Sequence, residues 1–178
     1  MSGATTSVAL LRGINVGRAK QVDMAALREV FTSLGATRAV THLRSGNVVF
    51  DSPRTLAPAA IEAAVEAATG VSSSVVVLSA AELDDVVAAD PFVGVADDPS
   101  RHLVVFLSEA PPADLAREFE QRVTAPDRAR VLGRAAYLWC PEGVLTATGD
   151  VKLWTRAGIV ATGRNWRTVV KLQELAGQ

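Results

Sequence analysis

Arginine, asparagine and glycine gather in three short stretches of this chain. They are Leu10-Leu11-Arg12-Gly13-Ile14-Asn15-Val16-Gly17-Arg18, Arg44-Ser45-Gly46-Asn47 and Thr162-Gly163-Arg164-Asn165-Trp166. A guanidinium fork can hold a phosphate or carboxylate through two parallel hydrogen bonds. An asparagine amide supplies both donor and acceptor, and glycine lets the backbone approach a ligand closely. The candidate ligand-binding residues are Arg12, Asn15, Arg44, Ser45, Asn47, Arg164, Asn165 and Trp166. Trp166 can stack on a ring of the ligand or, through its helical spacing with Val169, fill the core. Asn165 can touch a ligand or simply cap a helix. No histidine or carboxylate lies inside the three stretches, the nearest being His42 and Asp51. Ser45 has no activating partner in view, so no catalytic residue is assigned and enzymatic activity stays undecided.

For these stretches to act together, the fold must carry them to one place. Residues 7–11 read as a buried strand. Asp23 can cap a helix whose apolar positions Met24, Leu27, Phe31 and Leu34 share one face, with Gly35 at its end. Strands expected over 39–43 and 47–50 form a hairpin across Arg44-Ser45-Gly46. An alanine-rich helix over about 58–69 leads to Gly70 and a fourth strand over 75–78. Ser79-Ala80-Ala81-Glu82 then reads as a capping box opening a short helix. This order, β-α-β-β-α-β, is the ferredoxin-like split βαβ arrangement.

After a linker at 90–99 the pattern restarts. A strand is expected at 102–107, and a helix after Pro111-Pro112 with Leu115, Phe119 and Val123 on one face. A hairpin of 130–132 with 136–139 turns at Gly133-Arg134-Ala135. Between 145 and 157, Leu145, Leu153 and Trp154 are too sparse to define an element. A closing strand is placed at 159–161, and a final helix runs from near Asn165 to Ala176. The expected fold is therefore α+β. It has two duplicated ferredoxin-like halves, residues 1–90 and 91–178, with antiparallel or mixed sheets and a C-terminal helix. In such a sheet the first and third strands are antiparallel neighbours, so Arg12 and Asn15 should share a rim with Arg44, Ser45 and Asn47. The third stretch lies at a strand-to-helix junction, where free N–H groups and the helix dipole favour an anion.

The composition sets further bounds. With 178 residues, 49% hydrophobic and 21% charged, the chain suits an ordinary globular protein. No apolar run is long enough for a membrane span, and no basic and apolar leader opens the sequence. The expected setting is the cytoplasm, with no membrane partner. One cysteine, Cys140, and two histidines, His42 and His102, make a Cys/His metal site improbable. No cofactor motif occurs, a Walker-type phosphate loop included. Charge is uneven: residues 1–50 carry six Arg/Lys against two acids, 51–127 four against fourteen, and 128–178 eight against three. Basic ends flanking an acidic middle suit an anionic partner.

The residues also resemble a known family. Leu10-Leu11-Arg12-Gly13-Ile14-Asn15-Val16-Gly17, Met24 with Leu27, Leu34-Gly35 and Ser45-Gly46-Asn47-Val48-Val49-Phe50 carry the likeness. So do Asp90-Pro91-Phe92 and Arg164-Asn165-Trp166 with Thr168-Val169 and Lys171-Leu172. Together they are similar to a bacterial family catalogued as domain of unknown function 1697. The resemblance implies a two-part α+β fold with ferredoxin-like halves and no established activity. The chain departs from the family pattern at Arg18, where a glycine is usual, and near His42 and Arg44, where tyrosine and glutamine are. It also has Leu145-Thr146-Ala147-Thr148-Gly149-Asp150-Val151-Lys152-Leu153 in place of a Gly-x-Ser-Lys-Leu-like stretch. Thr162-Gly163 stands where Thr-Thr usually precedes Arg-Asn-Trp.

Three functional readings follow. The first is a module binding a small anionic ligand, with a nucleotide or short single-stranded nucleic acid within its range. The nucleic-acid case is weakened by strands that lack alternating exposed aromatics. The second is an enzyme acting on a small anionic metabolite. In the third, the arginines and asparagines satisfy buried backbone groups and the motifs lock the fold. The oligomeric state is not legible.

Overall fold

The computed structural model describes residues 3–144 and 149–178. The expected features at 145–148, Leu145 among them, lie outside the described residues. The chain divides into two compact units, Met1–Asp84 with Leu172–Gln178, and Asp85–Lys171.

In the first unit the elements run β1 (Thr5–Leu11), α1 (Met24–Ser33), β2 (Arg38–His42), β3 (Asn47–Ser52), α2 (Pro58–Thr69) and β4 (Val75–Ser79). The sheet order is β2-β3-β1-β4, with every pairing antiparallel. Local signals set the helices. Asp23 accepts from the N–H groups of Ala25 and Ala26 and starts α1, which buries Leu27, Val30 and Phe31. The Phe31 ring tilts against Phe50 with centroids 5.0 Å apart. Pro58 opens α2, whose Ile61 and Val65 are buried, and Gly70 ends it in the left-handed conformation. These apolar groups join Ala9, Leu11, Val48 and Val75 in one core. Each large side chain contributes about 1.5–3 kcal/mol of transfer free energy. The opposite sheet face, with Val8, Leu10, Val49, Val76 and Leu78, is buried as well. That is why the strands read as continuous apolar runs rather than alternating ones.

A helix, α3 (Ala80–Ala88), follows at once, and its capping box forms in both directions. Ser79 N–H donates to Glu82 at 2.8 Å, and Glu82 N–H donates to the Ser79 hydroxyl at 3.1 Å. The second round comprises β5 (His102–Leu107), α4 (Ala113–Arg122), β6 (Arg128–Leu132), β7 (Ala135–Trp139), α5 (Lys152–Arg156), β8 (Ala161–Asn165) and α6 (Trp166–Ala176). Its antiparallel sheet has the order β6-β7-β5-β8, repeating the first. Phe119 and Trp154, with centroids 4.7 Å apart, lie in its core with Val105, Leu107, Leu138 and Cys140. The fold is thus α+β with duplicated halves and a C-terminal helix.

The closing strand lies later than its apolar residues suggest. Ile159 is buried in the core but precedes the strand. Pairing with β5 instead takes in Thr162, Gly163, Arg164 and Asn165, with Arg164 opposite Val104. Cross-strand register overrides local preference here, as it does when a strand edge is offered a full ladder of hydrogen bonds.

Candidate functional site

The first rim is assembled by the β1–β3 pairing. Leu10 stands opposite Asn47, and Leu11 N–H donates to the Gly46 carbonyl at 2.8 Å. The strands come so close that a Cβ on Gly46 would lie 2.7 Å from the Leu11 Cβ, and Gly46 has φ +86°. Only glycine fits that turn. The expected meeting of Arg12 and Asn15 with the 44–47 stretch therefore occurs within this unit.

The two asparagines serve the backbone. The Asn15 amide donates to the carbonyls of Val22 (3.1 Å) and Arg44 (2.7 Å), and its oxygen accepts from Val22 N–H at 2.8 Å. Asn15 itself sits at φ +54°, a conformation asparagine tolerates better than most residues. It ties the β1 exit loop to the hairpin. Asn47, with no exposed surface, donates to the His42 carbonyl at 2.8 Å and to the Ser45 hydroxyl at 3.0 Å, closing the hairpin turn.

The cations stand outside this scaffold. Arg12, Arg18, Lys20 and Arg44 are exposed. Arg12 is placed through its backbone: its N–H donates to the Ser73 hydroxyl and the Ser74 carbonyl, and its carbonyl accepts from Ser73. Arg44 donates to Gln21, whose amide in turn donates to the Gly17 carbonyl. Lys20 reaches the Ser72 carbonyl at 3.4 Å. Gly13, Asn15, Gly17 and Lys20 all have positive φ, so the loop passes through the left-handed region at these four positions. Asp23, at the end of the loop, is spent on its helix cap. Its carboxyl is held below the ordinary range by the N–H groups of Ala26 and Ala25, with Arg28 and Arg44 adding to this. Sequence reasoning left Arg18, Lys20, Gln21 and Ser73 out of the site. The run of cations without an acid over residues 1–22 was the available signal for the first two.

The third stretch belongs to the second unit. Arg164 is 8% exposed and lies within β8. It donates to the Thr162 hydroxyl and the Gly163 carbonyl, both at 2.8 Å, and burial lowers its guanidinium to about 10. Asn165 accepts from Thr168 N–H at 3.0 Å, the geometry of a helix cap. Trp166 is half-buried and stacks on His102, with centroids 4.6 Å apart and planes at 17°. Among the described residues no group of three His, Cys, Asp or Glu side chains could hold a metal ion. No helix among them is long and apolar enough to cross a membrane.

Comparison with known proteins agrees with this architecture. A conserved bacterial protein from Streptococcus pneumoniae, SP0830, has a structure that superposes with a TM-score of 0.72 at 21% identity, covering 97% of this chain and 99% of that one. At that identity the likeness concerns the fold. Comparison with curated proteins finds no match. The family model described as "Protein of unknown function (DUF1697)" matches residues 4–137, most of the chain and all of the first polar rim, so this chain belongs to the DUF1697 family.

Proposed function

We propose that this chain is a cytoplasmic binding protein for a small phosphate- or carboxylate-bearing ligand, with nucleotides in range, held at the rim between the β1 exit loop and the β2–β3 turn. One observation supports this reading above others. Arg12, Arg18 and Lys20, from a stretch whose residues 1–22 include no acid, stand exposed with Arg44 around a loop that takes positive φ at four positions. Such a loop concentrates positive potential at the surface. Asn15, Ser45 and Asn47 then act as the frame that sets the loop rather than as ligand contacts. Arg164, Asn165 and Trp166 contribute nothing to this reading, since their polar groups and ring are engaged within their own unit.

Titration calorimetry at low salt with inorganic phosphate, nucleoside monophosphates and nucleoside triphosphates tests the proposal. A charge-assisted hydrogen bond contributes about 1.5–3 kcal/mol. The Arg12→Ala/Arg44→Ala double variant is therefore expected to bind at least about tenfold more weakly than the native chain. If none of these anions binds, or the double variant binds unchanged, the proposal fails.

A second reading has its own observation. Both donor hydrogens of the Asn15 amide go to backbone carbonyls, which is what a motif that only locks the fold would show. Under that reading Asn15→Ala lowers the melting temperature in a protein that binds no anion.

A further inference from the structure

We propose that the turn after α3 is a proton-sensitive strap, held at neutral pH by Phe92 packed on the buried His102 ring beside Asp90 and released when His102 takes up a proton, uncovering that ring. The strap goes beyond the cationic rim and does not depend on it.

The turn is tightly built. Asp90 accepts from Phe92 N–H at 3.0 Å, and the N–H groups of Val95 and Ala96 both reach the Phe92 carbonyl at 2.9 Å. This geometry presses Phe92, itself buried, edge-on against His102, with centroids 5.9 Å apart and planes at 79°. His102 in turn stacks on Trp166. The imidazole is 2% exposed, and its Nε2 lies 3.3 Å from Asp90 Oδ1. Yet Nε2 has no aligned hydrogen-bond partner among the described residues. A buried titratable ring thus sits at the centre of the clasp with its Nε2 lacking the hydrogen bond that normally holds such an atom.

The surrounding groups decide which protonation state the clasp prefers. Asp90, on the turn, attracts the imidazolium. Tyr137 on β7 is neutral: burial and then Asp90 push its hydroxyl up to about 12, and it donates to the Val86 carbonyl at 2.8 Å. Arg164 on β8 stands two register positions along the sheet, opposite Val104. Arg101 and, on α6, Arg167 act on Asp98. Burial outweighs the pull of Asp90, so the His102 pKa lies below its ordinary value of 6.5. Releasing the strap returns the ring to water, where it binds a proton at that ordinary value. The open form therefore holds more protons, and opening grows as pH falls through about 6.5, by up to tenfold per pH unit for one proton.

Hydrogen exchange of the full chain between about pH 7.5 and 5.5, corrected for intrinsic rates, reads the opening directly. Protection at Phe92, Val95 and Ala96 is expected to fall with pH, by up to tenfold per unit below about pH 6.5, while Val104 and Val105 in β5 hold theirs. The His102→Phe variant should lose that dependence, and His42→Gln should retain it. A flat profile in the native chain, or an unchanged slope in His102→Phe, overturns the proposal. Should His102→Phe fail to fold, an NMR titration of the native ring decides. A His102 pKa below 6.5 supports the strap, and one above it reverses the sign and rules it out.

Discussion

Replacing Asn47 by alanine removes a side chain with no exposed surface and two hydrogen bonds, to the His42 carbonyl at 2.8 Å and the Ser45 hydroxyl at 3.0 Å. Each such bond contributes about 1 kcal/mol net, and a buried carbonyl deprived of a donor adds to the loss. The expected cost is about 2–3 kcal/mol. For a chain of this size that corresponds to a fall in melting temperature of roughly 5–10 °C. Asn47→Asp sharpens the test. The carboxylate keeps the shape of the amide but cannot donate, and it would place a charge beside a carbonyl oxygen in a site closed to water. It should destabilise more than alanine does. Urea unfolding of the full chain at neutral pH, followed by far-ultraviolet circular dichroism, gives the midpoints. If Asn47→Ala stays within about 0.5 kcal/mol of the native chain, a size typical of inconsequential surface changes, the role of Asn47 as the hairpin's buried donor is refuted. If Asn47→Asp proves milder than alanine, the hydrogen-bond direction assigned to the amide is wrong.

Two further outcomes are expected. Asp51 links three strands, accepting from Arg38 at 2.7 Å and from Thr6 at 2.8 Å, and chiefly the Arg38 hydrogen bond holds its carboxyl below 3.8. A depressed carboxylate contributes stability above its unfolded pKa and loses it as pH falls through 3.8 toward the folded value. Asp51→Asn should therefore cost about 1 kcal/mol at neutral pH, allowing for partial exposure of the pair. It should also flatten the acid limb of a stability-against-pH curve; a limb as steep as the native one contradicts the assignment. Cys140 is buried, and burial, then Asp127, pushes its thiol up to about 11. A disulfide reagent at about pH 8, near the ordinary thiol pKa, should label it only after unfolding in urea; rapid labelling of the folded chain would contradict its burial.

Much of this architecture was legible because its signals are local. The Asp23 cap, the Ser79–Glu82 capping box and the Gly70 stop each act within a few residues, and each forms as its spacing implies. The doubled β-α-β-β-α-β order followed from them, as did the meeting of the β1 exit with the β3 start. Residues 159–165 escaped, because pairing with β5 rather than intrinsic preference drew a threonine, a glycine, an arginine and an asparagine into a strand. The strap escaped too. Asp90-Pro91 and the paired aspartates at 97–98 have the composition of a linker, and Phe92 becomes an anchor only once His102 lies beside it.

For the polar stretches themselves, the sequence determined the residue types and which of them share a rim, since strand order follows from element order. Only the tertiary structure decided how each side chain is spent. An asparagine amide offers the same donors to a ligand as to a carbonyl, and the carbonyl that claims Asn15 belongs to Arg44, 29 residues away. The charged ends of Arg12, Arg18, Lys20 and Arg44 lie on exposed residues, while Arg164, also an arginine, was carried into the sheet by its register with Val104. Partner choice between such distant groups depends on distances that exist only after the strands have paired.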